Sequence, residues 1–323
     1  MVSVLALLLV LAVGFGAYKL IAAVVPVSQT DILPVSSAVP TTATTIKLPQ
    51  LTPDQTSAID AALTAPQAIL IDLDRQLILY SKDPDTQCYP ASITKLMTAA
   101  VALKYNAPDT VFTVGSEIML VPKDASIAYI KVGWKLTMSE LLDGMLLPSG
   151  ADAAYVLAAQ TVKALHPDEH LTDAQAVAAF VDLMNQTLSD IGAVNSHFTD
   201  PDGMPDINHY TTPSDLVKIC EFALTFPEIK ESCAKPVAHD QLVSGQAVTW
   251  RNSNAMLDSG GPQYDAMVTG LKTGSTDDAG YCLAATASGD GGNWLALVMG
   301  CPDSDSRFTD THILFDAALT TVQ

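Results

Sequence analysis

Pro90-Ala91-Ser92-Ile93-Thr94-Lys95-Leu96-Met97-Thr98 is the stretch on which the reading of this chain turns. Proline is suited to the first turn of a helix, because its fixed φ fits and its missing N–H is not needed there. The segment predicts a helix from about Ser92 to Tyr105. Ile93, Leu96, Met97, Ala100, Val101 and Leu103 cover much of its circumference, so it belongs in the middle of a domain rather than on its surface. Ser92 and Lys95, three residues apart, fall on one helical face, where the amine can reach the hydroxyl. A serine hydroxyl is a weak nucleophile until a base takes its proton. A lysine becomes that base when burial and nearby positive charge lower its pKa. The free N–H groups of a helix start can also steady an oxyanion.

Alone, the pattern Ser-x-x-Lys decides little. A chain of 323 residues should contain about one by chance, and Ser92 fits an ordinary N-cap equally well. A second copy, Ser232-Cys233-Ala234-Lys235, is followed directly by Pro236, which pushes Lys235 out of helical geometry. That copy is set aside.

Before the central helix, Ala68 to Asp74 and Gln76 to Ser81 are short apolar runs with a charged turn at Asp74-Arg75, a hairpin pattern. After it, a helical region extends from Met138 to about Ile191. Gly150 interrupts this region, and Thr172 with Gln175 forms a capping-box pattern. Thr212-Pro213 starts another helix, to about Thr225. Beyond Ala247 the pattern changes to strands: Met267 to Thr273, Tyr281 to Ser288 and Trp294 to Gly300. Ser306 to Thr321 is helical. Two strands, then helices, then three strands and a helix predict an α+β fold, a five-stranded antiparallel sheet flanked by helices with an inserted all-helical lobe.

Two further elements carry chemistry. Lys272-Thr273-Gly274 ends a strand-like run. A lysine there can hold a substrate carboxylate, and a glycine lets a substrate backbone approach the strand. This tripeptide arises by chance in about one chain in twenty of this length. Ser149-Gly150 sits between two helices, where a second serine can relay a proton to a leaving amine; it also fits an N-cap.

Acidic residues outnumber basic ones 35 to 16, for a formal net charge of -19. Nucleic acid is excluded as a partner, because phosphate binding needs clustered Lys and Arg. The five cysteines, Cys88, Cys220, Cys233, Cys282 and Cys301, show no Cys-x-x-Cys spacing, so no metal site is expected. Cys282 and Cys301 can face each other across a hairpin, as a disulfide or as buried thiols. Residues 1–25 are apolar almost throughout, long enough to anchor the chain in a membrane or to act as a signal segment. Residues 26–51, rich in Pro, Thr and Ser, read as a tether, and residues 52–323 as the folded domain. The bland residues are His166 and His170, in a solvated turn, and His209, a structural hydrogen-bonder. Arg307 fits either a surface salt bridge or a place near a carboxylate pocket.

Together, the order and spacing of the three motifs resemble the penicillin-binding protein and serine β-lactamase superfamily, whose signature is S-x-x-K, S-x-N and K-T-G. The nucleophile segment Pro90–Thr98, Met145-Leu146-Leu147-Pro148-Ser149-Gly150 with Asp152-Ala153-Ala154, and His209-Tyr210-Thr211-Thr212 with Asp215-Leu216 are most similar to the D-alanyl-D-alanine carboxypeptidases of low molecular mass. So is Gly270-Leu271-Lys272-Thr273-Gly274-Ser275-Thr276 with Ala279-Gly280-Tyr281-Cys282. The resemblance implies that Ser92 attacks the penultimate D-alanine of a peptidoglycan stem peptide and that Lys95 activates it. It implies that Ser149 passes a proton to the departing D-alanine, and that Lys272 and Thr273, with Gly274 and Ser275 beside them, bind the substrate. The N–H groups of Ser92 and Ser275 would form the oxyanion hole. β-Lactams would acylate Ser92, no cofactor is implied, and the enzyme would work outside the cytoplasmic membrane, held by the N-terminal segment or secreted if that segment is cleaved.

One position departs from the signature. Ala151 stands where the family has asparagine, and a methyl group cannot bond the substrate carbonyl or place the lysine. Losing such a hydrogen bond costs about 1.5–3 kcal/mol, or about ten- to a hundredfold in rate. The expectation is a slower enzyme, with Asp152 as a candidate substitute or simply a first-turn acid. The competing readings are a binding protein that recognises cell-wall peptides without turnover, and a serine β-lactamase. The latter lacks here the E-x-x-L-N segment that one class uses to activate water.

Overall fold

The strands of this chain read as unbroken apolar runs because the sheet they form is covered on both faces. In the computed structural model, which describes residues 50–321, Thr52 closes a capping box with Gln55 and starts α1 (Pro53–Ala62). Strands β1 (Gln67–Asp72) and β2 (Leu77–Lys82) form the expected hairpin. A 3-10 turn over Ala91–Thr94 then leads into α2 (Lys95–Tyr105). The expected helix therefore begins with one tight turn, and Ser92 lies inside that turn rather than at a regular N-cap.

Short strands β3 (Val111–Thr113) and β4 (Lys135–Thr137) pair with each other. The lobe that follows holds α3 (Met138–Leu146), α4 (Ala151–Leu165), α5 (Asp173–Asp190), α6 (Pro213–Ala223) and α7 (Pro227–Ala234). Gly150 separates α3 from α4, as its place in the sequence implied, and Thr172 with Gln175 caps α5. A second small hairpin, β5 (Val237–Gln241) with β6 (Ala247–Arg251), precedes the long strands β7 (Val268–Thr276), β8 (Gly280–Gly289) and β9 (Gly292–Cys301). The chain's last described helix is α8 (Ser304–Thr320). Helices α1 and α7 and both small hairpins were not anticipated; their runs are short.

The sheet order is β2-β1-β9-β8-β7, with every pairing antiparallel. This is the α+β arrangement expected, with the helical lobe inserted between β2 and the final three strands. Ile69, Ile71, Leu295 and Leu297 face α2 and the lobe. Ala68, Leu70, Trp294 and Ala296 face the opposite way, toward Ile59 of α1 and Leu314 and Phe315 of α8. The inner strands β1, β8 and β9 thus alternate between two cores along most of their length, with little solvent face to break the apolar run. Helix α2 is buried around its girth from Lys95 to Ala102, as the sequence pattern required.

Among the described residues no helix is long and apolar enough to cross a membrane. The anchor or signal segment over residues 1–25 and nearly all of the 26–51 tether lie outside the described residues.

Candidate active site

The turn that carries Ser92 is pressed between an edge strand and a loop. Gly274 on β7 faces it so closely that a Cβ there would lie 2.9 Å from Pro90 O, 3.1 Å from Ala91 Cβ and 3.2 Å from Ser92 N. The sequence suggested access for a substrate; these distances show in addition that the bare Cα lets the Ser92 turn seat against the strand. From the other side comes Gly203, with φ +88°, where any side chain would overlap the Ala91 carbonyl. Only glycine combines that backbone conformation with that proximity.

Lys95 is 2% exposed. Its Nζ donates to Ser92 Oγ at 2.8 Å and to the Asp202 main-chain carbonyl at 2.7 Å. Burial holds the lysine pKa below its ordinary value, opposed by the charges of Asp202, Asp200 and Asp152. Two more contacts tie the segment after α5 to α2 and to the turn before it. Thr98 Oγ1 donates to Pro201 O at 2.6 Å, and Thr94 Oγ1 lies 2.9 Å from His209 Nε2. His209 is stacked on Phe198 and its Nδ1 faces Thr199 and Asp200. It is a structural hydrogen-bonder, as its sequence context suggested.

Lys272 on β7 is buried as well, and its Nζ donates to Thr273 O at 3.0 Å. Burial first, and the Lys95 charge second, press its pKa well below the usual lysine range. Thr273 Oγ1 lies 2.6 Å from Ser253 Oγ, and Ser253 N donates to Leu147 O at 2.9 Å. Ser253 thereby joins β7 to the corner between α3 and α4, where Ser149 sits at φ +64°. Arg307 is not at a surface salt bridge. It is buried, its guanidinium lies over Tyr281 and Phe308, and Nη1 reaches Gly274 O at 3.4 Å.

A cavity of about 700 Å³ opens on Ser92 and Lys95, lined also by Ser126, Asp202, Ser275 and Tyr281. Ser149, Lys272 and Thr273 stand outside that lining. Ala151 is fully buried, and its N–H donates to Ser126 O at 2.8 Å. Asp152 does not replace the missing asparagine. Its carboxylate is occupied by the N–H groups of Ala128, Ile130 and Ala153 at 2.7, 3.1 and 3.0 Å, and it anchors the 126–130 loop.

The second Ser-x-x-Lys is structural. Helix α7 ends at Ala234, Lys235 is extended, and Ser232 Oγ and Lys235 Nζ both bind Asp143, at 2.6 and 2.5 Å. All five cysteines are free, with Cys282 opposite Gly274 and Cys301 opposite Tyr281 in the sheet. His166 pairs with Glu169 in an exposed turn. Asp200, Asp202, Ser126 and Ser253 were not singled out from sequence. Only the turn-forming Pro201-Asp202-Gly203 hinted at this loop, and nothing local tied it to Lys95.

A serine held by a buried amine, at the foot of an edge strand bearing a second buried lysine, defines a serine acyl-transfer hydrolase on this five-stranded scaffold. Residues 54–303 match the D-alanyl-D-alanine carboxypeptidase family, and the chain belongs to that family. A D-alanyl-D-alanine carboxypeptidase of Streptomyces sp. strain K15 is 33% identical over 246 residues, 72% of this chain and 79% of the relative. The carboxypeptidase DacA of Escherichia coli K12 is 28% identical over 250 residues, 74% of this chain; the match spans only 56% of that longer relative. The crystal structure of the Streptomyces K15 DD-transpeptidase superposes with a TM-score of 0.72 at 30% identity, covering 80% of this chain and 98% of that one. Penicillin-binding protein D2 of Listeria monocytogenes in its ampicillin-bound form gives 0.65 at 25% identity, with the same coverage. The protein is a serine-type D-alanyl-D-alanine carboxypeptidase.

Proposed function

We propose that Ser92 is the nucleophile of this carboxypeptidase and Lys95 its general base. The observation that carries the assignment is the 2.8 Å contact between Lys95 Nζ and Ser92 Oγ, with the amine buried and its pKa lowered. Ser92 Oγ adds to the carbonyl of the penultimate D-alanine in a peptidoglycan stem peptide as its proton passes to Lys95 Nζ. The oxyanion is met by the N–H groups of Ser92 and Ser275. Collapse breaks the peptide bond, and the leaving D-alanine nitrogen receives a proton through Ser149. Lys272 and Thr273 hold the terminal carboxylate, a charge suited to the cationic edge-strand site. Water then releases the acyl group and regenerates Ser92. β-Lactams, whose strained amide presents the same carbonyl and carboxylate, stop at the ester.

Residues 1–25 anchor the domain at the outer face of the cytoplasmic membrane, with 26–51 as the tether. The support is the length of the apolar run. Extraction by high salt alone, without detergent, would overturn the anchor.

The test of the site is the intact mass of the domain after incubation with penicillin, followed by measurement of D-alanine release from a stem-peptide analogue. One adduct on the parent and none on Ser92→Ala is expected. No adduct on either would replace this reading with that of a binding protein.

A further inference from the structure

Asp202 has both carboxylate oxygens buried without a hydrogen-bond partner, although the residue lines the catalytic cavity beside Ser92 and Lys95 and is only 1% exposed. A buried carboxylate normally accepts several hydrogen bonds or pairs with a cation. Here its own main-chain carbonyl, not the carboxylate, receives the Lys95 amine. Asp200 makes the arrangement tighter: its Oδ1 accepts from the N–H groups of Asp202 and Gly203 at 2.9 and 2.6 Å, which brings two acids onto one short turn. We infer that Asp202 is a positioning residue for the acylation step. Its carbonyl aims the Lys95 amine at Ser92, and its carboxylate sets how strongly that amine holds a proton. The inference rests on the assignment of Lys95 as the base.

Two opposed effects meet at Lys95. Burial weakens the amine as a base, and the neighbouring negative charges, Asp202 foremost, strengthen it. A base is most useful when its pKa lies near the working pH, neither so low that it cannot take a proton nor so high that it already has one. The Asp202 carboxyl is itself pushed up, to about 7, by burial, against the pull of Lys95 and with the push of Asp200. Asp200 goes the other way, to about 2, with His209 as its partner. Such a split between two adjacent acids is what a site needs to carry one exchangeable proton near neutral pH. The other charged or titratable groups facing the pair are Asp152 and Tyr155 on α4, Lys272 on β7 and Arg307 behind it on α8.

Asp202→Asn keeps the size of the side chain and removes its charge. Lys95 then loses its proton at lower pH. The acid limb of the pH profile for Ser92 acylation by penicillin should move down by about one unit. That makes acylation about tenfold faster on the limb, while the plateau falls about threefold because the base is weaker. Asp202→Glu, which restores the charge, should bring the limb back toward the parent. A lower plateau with an unmoved limb would mean a purely structural role and would overturn the inference, as would a limb that moves up. If the variant does not fold, the parent serves. Its 13C-labelled aspartates should include one carboxyl that titrates near pH 7, and a spectrum in which all titrate near 4 or below would overturn the inference equally. A parent that takes no adduct at any pH removes the assignment of Lys95 and this inference with it. A parent with a normal profile that Asp202→Asn reproduces removes the inference alone.

Discussion

Gly274→Ala tests whether the seating of the Ser92 turn on β7 underlies the reactivity proposed for Ser92. The added methyl would sit 2.9 Å from Pro90 O, 3.1 Å from Ala91 Cβ and 3.2 Å from Ser92 N, whereas ordinary contact begins at 3.4 Å. Two of these three neighbours are main-chain atoms, so no side chain can swing aside. Either β7 or the 91–94 turn must retreat by about half an ångström in a close-packed interior. Overpacking of this kind costs about 1–3 kcal/mol, which lowers Tm by about 2–10 °C in a domain of this size. Chemistry should suffer more than stability. The proposed oxyanion donors, Ser92 N and Ser275 N, lie on the two surfaces being pushed apart, and a misplacement of about 1 Å costs about a hundredfold in rate. We expect a ten- to hundredfold loss in the rate constant for acylation by penicillin, measured well below Tm. Gly192→Ala is the control. It places a side chain at φ +74° with nothing within 4 Å, so it should cost about 1 kcal/mol of backbone strain and leave acylation unchanged. If Gly274→Ala acylates at the parental rate, the argument that this glycine serves the protein's own packing is wrong.

Lys95→Met should lower acylation by about a hundred- to ten-thousandfold, the usual contribution of a general base, read by the same mass assay at long incubation. Ser232→Ala, in the second Ser-x-x-Lys, should still give the full adduct; it leaves Asp143 with one partner fewer, so Tm should fall modestly, by the equivalent of about 1–2 kcal/mol. Asp152→Ala strands three buried main-chain donors and should cost about 2–4 kcal/mol, with faster hydrogen exchange at Ala128 and Ile130. For pH, the Asp202 carboxyl is raised in the folded state. Its ionisation therefore costs stability as pH climbs from the unfolded value near 4 through about 7. Asp202→Asn should be more stable than the parent at pH 8 and equal to it at pH 4. Thermal unfolding at both pH values checks the sign.

The central helix, the three motifs and the order of strands and helices could be read along the chain, because each depends on residues within a few positions of one another. Pro90 sets the helix entry, the spacing of Ser92 and Lys95 sets their common face, and Pro236 disqualifies Lys235. The sheet could be anticipated from its apolar runs. What local pattern could not supply are contacts between segments far apart in the chain. Asp202 reaches Lys95 from 107 positions away, Ser253 joins Thr273 to Leu147, and Asp152 spends its charge on the loop at 128–130. In sequence these residues look like a turn acid, a loop serine and a first-turn acid. Sequence alone determined which residues carry hydroxyl, amine and glycine at which intervals. The tertiary structure decided which buried amine meets which oxygen, and which charge lies close enough, in a medium that screens poorly, to change how firmly that amine holds its proton.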